Sequence, residues 1–390
     1  MSDSQMRLPM EILALVINVI NTGEKKDLLP LALASTSIRY EVERVLYREV
    51  GLQSNRRGFT GALVLISHCE RIAHRVESLD ITFSFGHTDD QHHRSQITLL
   101  QRALAVVKNL TSLFITVARN ESKHLKVIEG ISLSPPPFSL RTLFTNLDPG
   151  EPILKSFIVL HRQLNSLYLT QSNLPSMFSE GELPELTTLR LTQGDELSRF
   201  CPQLPVARLR ADYLFYLTDC VAPDVKVLYT EHDLDQNPDA LPEFASLFPN
   251  LRYLELECPE YVRCTPDVFG HPSLTASQEV ISRFQIDLSQ FSHLRCLKLH
   301  TGGEVSDIDR SGVMYDWHEW VFELFIQCES LQLVKIIGAP VSRGAQNLWE
   351  LRWGREREEG SGLDCLLTEI HREDCDSEWT RWPLDFSTYV

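Results

Sequence analysis

The sequence predicts an α/β solenoid, with parallel strands side by side, helices behind them and a helical segment at the head. Three observations predict it. A short apolar phrase, Leu-x-x-Leu-x-Leu or a near variant, recurs ten times along the 390 residues. Between the phrases, apolar residues fall at helical spacing. The first fifty residues lack the phrase and carry three short amphipathic segments instead. One such strand cannot bury its own apolar face, but ten stacked neighbours can.

The phrases begin with Val76-Leu79-Ile81, Leu110-Leu113-Ile115, Leu140-Leu143-Thr145, Leu164-Leu167-Leu169 and Leu186-Leu189-Leu191. They continue with Val206-Leu209-Ala211, Val225-Leu228-Thr230, Leu251-Leu254-Leu256, Leu294-Leu297-Leu299 and Leu331-Val334-Ile336. Ile97, Leu100, Leu104 and Val107 share one helical face, as do Ile153, Phe157 and Leu160. Trp317, Trp320, Val321, Leu324, Phe325 and Cys328 mark another helix before the last strand. Strand plus helix per unit is what leucine-rich repeats build, with parallel strands on the concave face and helices on the convex face. The array is irregular: phrase spacing runs from 19 residues (Val206 to Val225) to 43 (Leu251 to Leu294). The Asn or Cys expected after each phrase is mostly replaced, by Asp148, Ser172, Gly194 and Pro259. Pro135-Pro136-Pro137 marks a loop before the third strand, and Pro259 to Gln278 reads as a protruding loop. After Pro340 the phrases stop, and a terminal cap with an acidic, partly mobile tail is expected over 341–390.

At the head, Pro9 suits the first turn of a helix and Glu11 favours that end electrostatically. Leu8, Ile12, Leu15, Val16 and Val19 form one stripe, and Gly23 ends it. Asp27 to Leu33 makes a second apolar segment. Ser35 or Ser37 is placed to cap a third helix bearing Ile38, Val42, Val45 and Leu46. Leu8-Pro9-x-Glu11-Ile12-Leu13, Ile17, Asp27-Leu28-Leu29, Leu31-Ala32-Leu33-Ala34-Ser35, Arg39 and Arg44-Val45-Leu46-Tyr47-Arg48-Glu49-Val50 together resemble an F-box. The closing Leu-Tyr-Arg-x-Val resembles the fungal version, and Arg71 to Leu79 resembles the usual entry to the first repeat of such proteins. The resemblance implies a three-helix F-box over 1–50, a helical connector over 51–75 and the irregular solenoid over 76–340. It further implies docking on a Skp-type adaptor and, through it, on a cullin–RING ubiquitin ligase. Leu8, Pro9, Ile12, Leu13, Ile17, Leu28 and Leu31 are then the adaptor-binding candidates. The polar segment Asn21 to Lys26 departs from the family pattern.

Composition narrows the remaining classes. Hydrophobic residues make up 43%, enough for a large core, and 37 basic against 53 acidic residues leave a net charge of -16. A surface so negative repels phosphate backbones and anionic lipid, so neither nucleic acid nor membrane is expected as a partner. The apolar stretch Ile12–Ile20 is too short to span a bilayer and has no small-residue cleavage site, so neither a transmembrane helix nor a signal peptide is expected. Nine scattered cysteines with no Cys-x-x-Cys fit a cytoplasmic or nuclear chain.

In a sheet of this type the residue between the second and third apolar positions faces away from the core. Read in order, that row is Asp80, Phe114, Phe144, Tyr168, Arg190, Arg210, Tyr229, Glu255, Lys298 and Lys335. Aromatics and arginines in a run are typical anchors of a binding surface. Phe114, Phe144, Tyr168, Arg190, Arg208, Arg210 and Tyr229 are therefore the substrate-binding candidates, suited to an apolar and acidic or phosphorylated peptide. The alternative is that the aromatics pack under loops and the arginines pair with Asp212 and Glu231.

Catalytic and metal motifs fail on inspection. His87-Thr88-Asp89-Asp90-Gln91-His92-His93 reads as a polar loop. His318-Glu319 begins like a zincin helix, but Phe322 stands where the second histidine is needed. Gly302-Gly303 lacks the Gly-Lys-Ser/Thr of a phosphate loop, and no Gly-x-Ser-x-Gly is present. No catalysis, cofactor or metal is expected. The expected function is substrate recognition for a Skp–cullin–F-box ligase, the repeats holding an unknown target protein. The alternative is a leucine-rich-repeat scaffold or inhibitor working without any ligase.

Overall fold

A computed structural model describes residues 12, 17, 28–33, 35–84, 90–118, 124–131, 135–148, 151–169, 178–179, 181–191, 204–211, 221–231, 240–258, 287–304, 313–339, 347–355 and 363–371. The chain divides into two compact units, residues 1–169 with 182–185, and residues 170–181 with 186–390. Each is α/β with a largely parallel sheet.

In the first unit Ile12 and Ile17 stand in helical backbone, followed by helices α1 (Leu29–Ala32) and α2 (Thr36–Leu46). Ser35 caps α2, its hydroxyl oxygen accepting the Ile38 N–H at 3.2 Å. Ile17, Leu28, Val42 and Val45 form one buried cluster, with Leu31, Ala32, Ile38 and Leu46 partly covered against it. Leu8, Pro9 and Leu13 lie outside the described residues, as does much of the expected three-helix arrangement.

Helix α2 runs directly into strand β1 (Glu49–Gln53), which pairs in parallel with β2 (Ser78–Ser84). The sheet therefore begins at Glu49, where the sequence reading placed the end of the head and a purely helical connector over 51–75. Only Leu52 of β1 faces the core, so this strand lacks the full phrase that reveals the others. The connection through α3 (Phe59–His68) and α4 (Glu70–Ala73) has the length a parallel crossover needs.

The unit continues with α5 (Asp90–Leu104), β3 (Ser112–Ala118), α6 (His124–Ile131), β4 (Thr142–Thr145), α7 (Pro152–Leu160) and β5 (Ser166–Leu169). All neighbouring strands from β1 to β5 pair in parallel. The carbonyls of Arg48, Glu77, Thr111 and Arg141 each accept two successive N–H groups from the next coil, fixing the stacking register. The side chain of Asn146 extends the β3–β4 pairing, accepting from Val117 N at 2.7 Å and donating to Val117 O at 2.8 Å. All first-unit phrase positions, from Val76 to Leu169, are buried. Burial of such a side chain is worth roughly 1.5–3 kcal/mol. Phe59 of α3 meets Phe83 of β2 edge-on at 5.8 Å, which places that helix against the core face of the sheet.

Two local expectations shift. Asp90 to His93 form the first turn of α5, not a loop, while residues 85–89 lie outside the described set. On α7 the buried face is Leu154, Phe157 and Ile158, whereas Ile153 and Leu160 are exposed. Both triplets have helical spacing through Phe157, so spacing alone did not choose between them.

In the second unit β6 (Thr188–Leu191), β7 (Arg208–Ala211), β8 (Val227–Glu231), β9 (Tyr253–Cys258), β10 (Cys296–Glu304) and β11 (Leu333–Ala339) pair in parallel, in chain order. Helix α8 (Ala240–Leu247) precedes β9, and α9 (Val313–Gln327) precedes β11. Trp320, Val321, Leu324, Phe325 and Cys328 are buried as expected, while the side chain of Trp317 is outside the described set. The region read as a protruding loop, 259–278, is also outside it. Two strands that the phrase did not reveal, β12 (Asn347–Arg355) and β13 (Leu363–His371), add in antiparallel fashion within the expected cap. Seven residues separate β11 from β12, too few for a crossover, so the chain turns back as a hairpin.

Candidate protein-binding faces

At the head, the adaptor candidates separate by burial. Ile17 and Leu28 lie inside the cluster with Val42 and Val45 and offer no surface, so these two act in packing. Leu31 is half-buried, and Ile12 is 45% exposed. Leu33, which the sequence reading left out, is 88% exposed at the end of α1. A four-residue helix buries only one side of an apolar run, so the Leu28–Leu33 stretch had to leave a leucine outside.

Three arginine contacts tie this head to the first strands. Glu43 of α2, which accepts from Arg39 of the same helix at 2.9 Å, forms an ion pair with Arg71 of α4 at 2.6 Å. The Arg75 guanidinium lies 3.7 Å over the Tyr40 ring, and Arg48 pairs with Glu77 at 2.9 Å.

The open sheet face of the first unit carries an aromatic ladder. Register sets Gly51 beside Asp80, Asp80 beside Phe114, Phe114 beside Phe144 and Phe144 beside Tyr168. Phe114 and Phe144 stack with centroids 6.1 Å apart, and Phe144 meets Tyr168 at 6.2 Å. All three rings are half-buried, with Asp80 exposed at the end of the row. Hydroxyl rows flank the ladder: Ser78, Ser112, Thr142 and Ser166 on one side, and Thr82 bonded to Thr116 at 3.0 Å on the other. Partial burial of its carboxyl raises the Asp80 pKa above the ordinary value.

The corresponding face of the second unit differs from expectation. Arg190, Arg210, Tyr229, Glu255, Lys298 and Lys335 share one register row. Arg190 and Arg208 are half-buried, but Arg210, Tyr229, Glu255, Lys298 and Lys335 are buried. That corrects the reading of Arg210 and Tyr229 as solvent-facing anchors. The Arg210 guanidinium lies 3.8 Å over the Tyr229 ring, and that ring meets His300 edge-on at 6.3 Å. Glu255 is the hub. Its Oε1 lies 3.1 Å from Lys298 Nζ and 2.6 Å from His300 Nε2, and its Oε2 accepts the Tyr253 hydroxyl at 2.7 Å. Burial alone pushes the Glu255 pKa up, but the bonds from His300 and Tyr253 and the charges of Lys298 and His300 outweigh it and hold the carboxyl below its usual value. The side chains of Asp212 and Glu231, the partners first considered for the arginines, lie outside the described set.

Among the described residues no group of three or more His, Cys, Asp or Glu is placed to hold a metal ion. No described helix is long and apolar enough to cross a membrane.

No family model matches the chain, and no curated protein matches it. Among solved structures, it is similar to one described as the complex of Rad7 and Elc1 in yeast, with 13% identity and a TM-score of 0.30. That match covers 86% of this chain and 90% of the other, a likeness from which neither family nor partner follows.

Proposed function

We propose that the chain is a substrate receptor of a Skp–cullin–F-box ubiquitin ligase, its head docking on a Skp-type adaptor and its open repeat face holding a target protein. One observation carries this reading: apolar side chains remain exposed on a head whose own cluster is already packed. Leu33 and Ile12 stand outside the Ile17–Leu28–Val42–Val45 interior, on a segment continuous with the first strand. A large apolar side chain left in water gains burial only when a partner covers it. In this reading the chain performs no chemistry of its own. It holds the target close to the ligase, and proximity raises the effective concentration of the reacting groups.

Co-expression with a Skp-type adaptor tests it. The full chain should co-purify with the adaptor at equal stoichiometry, and Ile12→Asp combined with Leu33→Asp should abolish capture. Both side chains are accessible, so the far-ultraviolet circular dichroism of the double variant should match the parent. A parent chain that is soluble alone and captures no adaptor would leave the scaffold function in place of the receptor.

A further inference from the structure

We propose that the open face of β1–β5 binds a basic peptide segment, with an arginine of the partner laid on the Phe114 ring and its guanidinium against the Asp80 carboxylate. This rests on the reading that the face holds a protein, and it names the class of protein segment held.

Charge decides the partner. Glu49 and Asp80 stand among the register positions of this face, whereas the other described strand positions there hold serine, threonine, glycine, glutamine, alanine and aromatic residues, with no lysine or arginine. The chain as a whole carries a net charge of -16. The acidic or phosphorylated peptide suggested by a row of arginines has no counterpart charge here. The arginines that motivated it belong to the other unit, where Arg210 is packed on Tyr229. Aromatic faces add to the bias, because their quadrupole attracts cations, and a planar guanidinium suits both a ring and a carboxylate.

Space is also available. A Cβ built on Gly51, the register neighbour of Asp80, would meet nothing within 4 Å. The flank of the Asp80 carboxylate opposite Phe114 is therefore open. An incoming guanidinium laid on Phe114 can donate a charge-assisted hydrogen bond to the neighbouring Asp80 carboxylate. The stacked Phe114–Phe144 pair continues away from the carboxylate at one strand step per ring. That makes room for an apolar residue after the arginine, with the serine and threonine rows serving the backbone of the peptide.

Arrayed nonapeptides with the central position set to Arg, Lys, Gln or Glu, and the other positions randomised, test the inference on the full chain. Arginine peptides should bind best and glutamate peptides worst. For the best arginine peptide, measured by fluorescence anisotropy, Asp80→Asn should weaken binding about tenfold and leave the glutamine analogue unchanged. Gly51→Arg, which places a competing cation on the open flank, should do the same without altering the unfolding midpoint. Preference for glutamate peptides, no binding by any set, or an arginine preference insensitive to both substitutions would overturn the proposal. Adaptor capture is measured on the same variants and should be unchanged. A chain that binds the arginine peptide but never the adaptor would sink the ligase reading alone.

Discussion

Glu255→Leu should destabilise the second unit by about 3–5 kcal/mol, because it strips the counter-charge from a lysine buried in the same row. Lys298 is fully covered and its ammonium lies 3.1 Å from Glu255. Removing the carboxylate also takes the acceptor from the Tyr253 hydroxyl and from His300. Breaking a buried pair costs far more than replacing both members by apolar groups of similar volume. Adding Lys298→Met to Glu255→Leu should therefore recover more than half of the loss. Denaturant unfolding of the two singles and the double closes the cycle. Additive losses would mean that the two residues do not act as a pair. The pH dependence has a definite sign: the carboxyl is held below its usual value, so its stabilisation is complete above the ordinary glutamate range and fades as pH falls through the folded-state value.

His161 should make the first unit acid-sensitive. Its ring is buried between Phe138, stacked at 5.5 Å, and Phe157, edge-on at 4.8 Å, and its Nδ1 accepts the Leu140 N–H at 3.3 Å. Burial pushes its pKa down from 6.5 to about 4. The unfolded chain takes up the proton near pH 6.5, while the folded chain resists it until about pH 4. Stability is thus fully present above pH 6.5, falls through this window and is lost by about pH 4, an effect of about 3 kcal/mol. His161→Phe keeps a ring in place and removes the titration. It should cost about 1 kcal/mol at neutral pH, through the orphaned Leu140 N–H, yet lose less stability than the parent between pH 6.5 and 4. Parallel unfolding curves for parent and variant across that window would show that another group carries the acid sensitivity.

The periodic part of the fold was readable. Each of the ten phrases contains a strand, and every core position in them is buried, because a repeat that stacks on copies of itself imposes the same inside–outside choice at each step. The strands that went unread are those without that repetition. β1 has one core residue, Leu52, and β12 and β13 pair antiparallel after a short connection. The aromatic ladder was legible too, since Phe114, Phe144 and Tyr168 occupy one position of successive phrases. Leu33 was not, because an amphipathic run does not say which leucine a four-residue helix leaves outside.

By itself the sequence determined where the ten repeat strands lie, which of their positions turn inward and which side chains line up across neighbours, since all three follow from local period. Only the tertiary structure decided how deeply each position of that line is buried. The position is half-buried at Phe114 and Phe144 in the first unit and buried at Glu255 and Lys298 in the second. There Glu255 meets Lys298 and His300 of the next strand, more than forty residues away, and a local period does not encode which charges meet over such a separation.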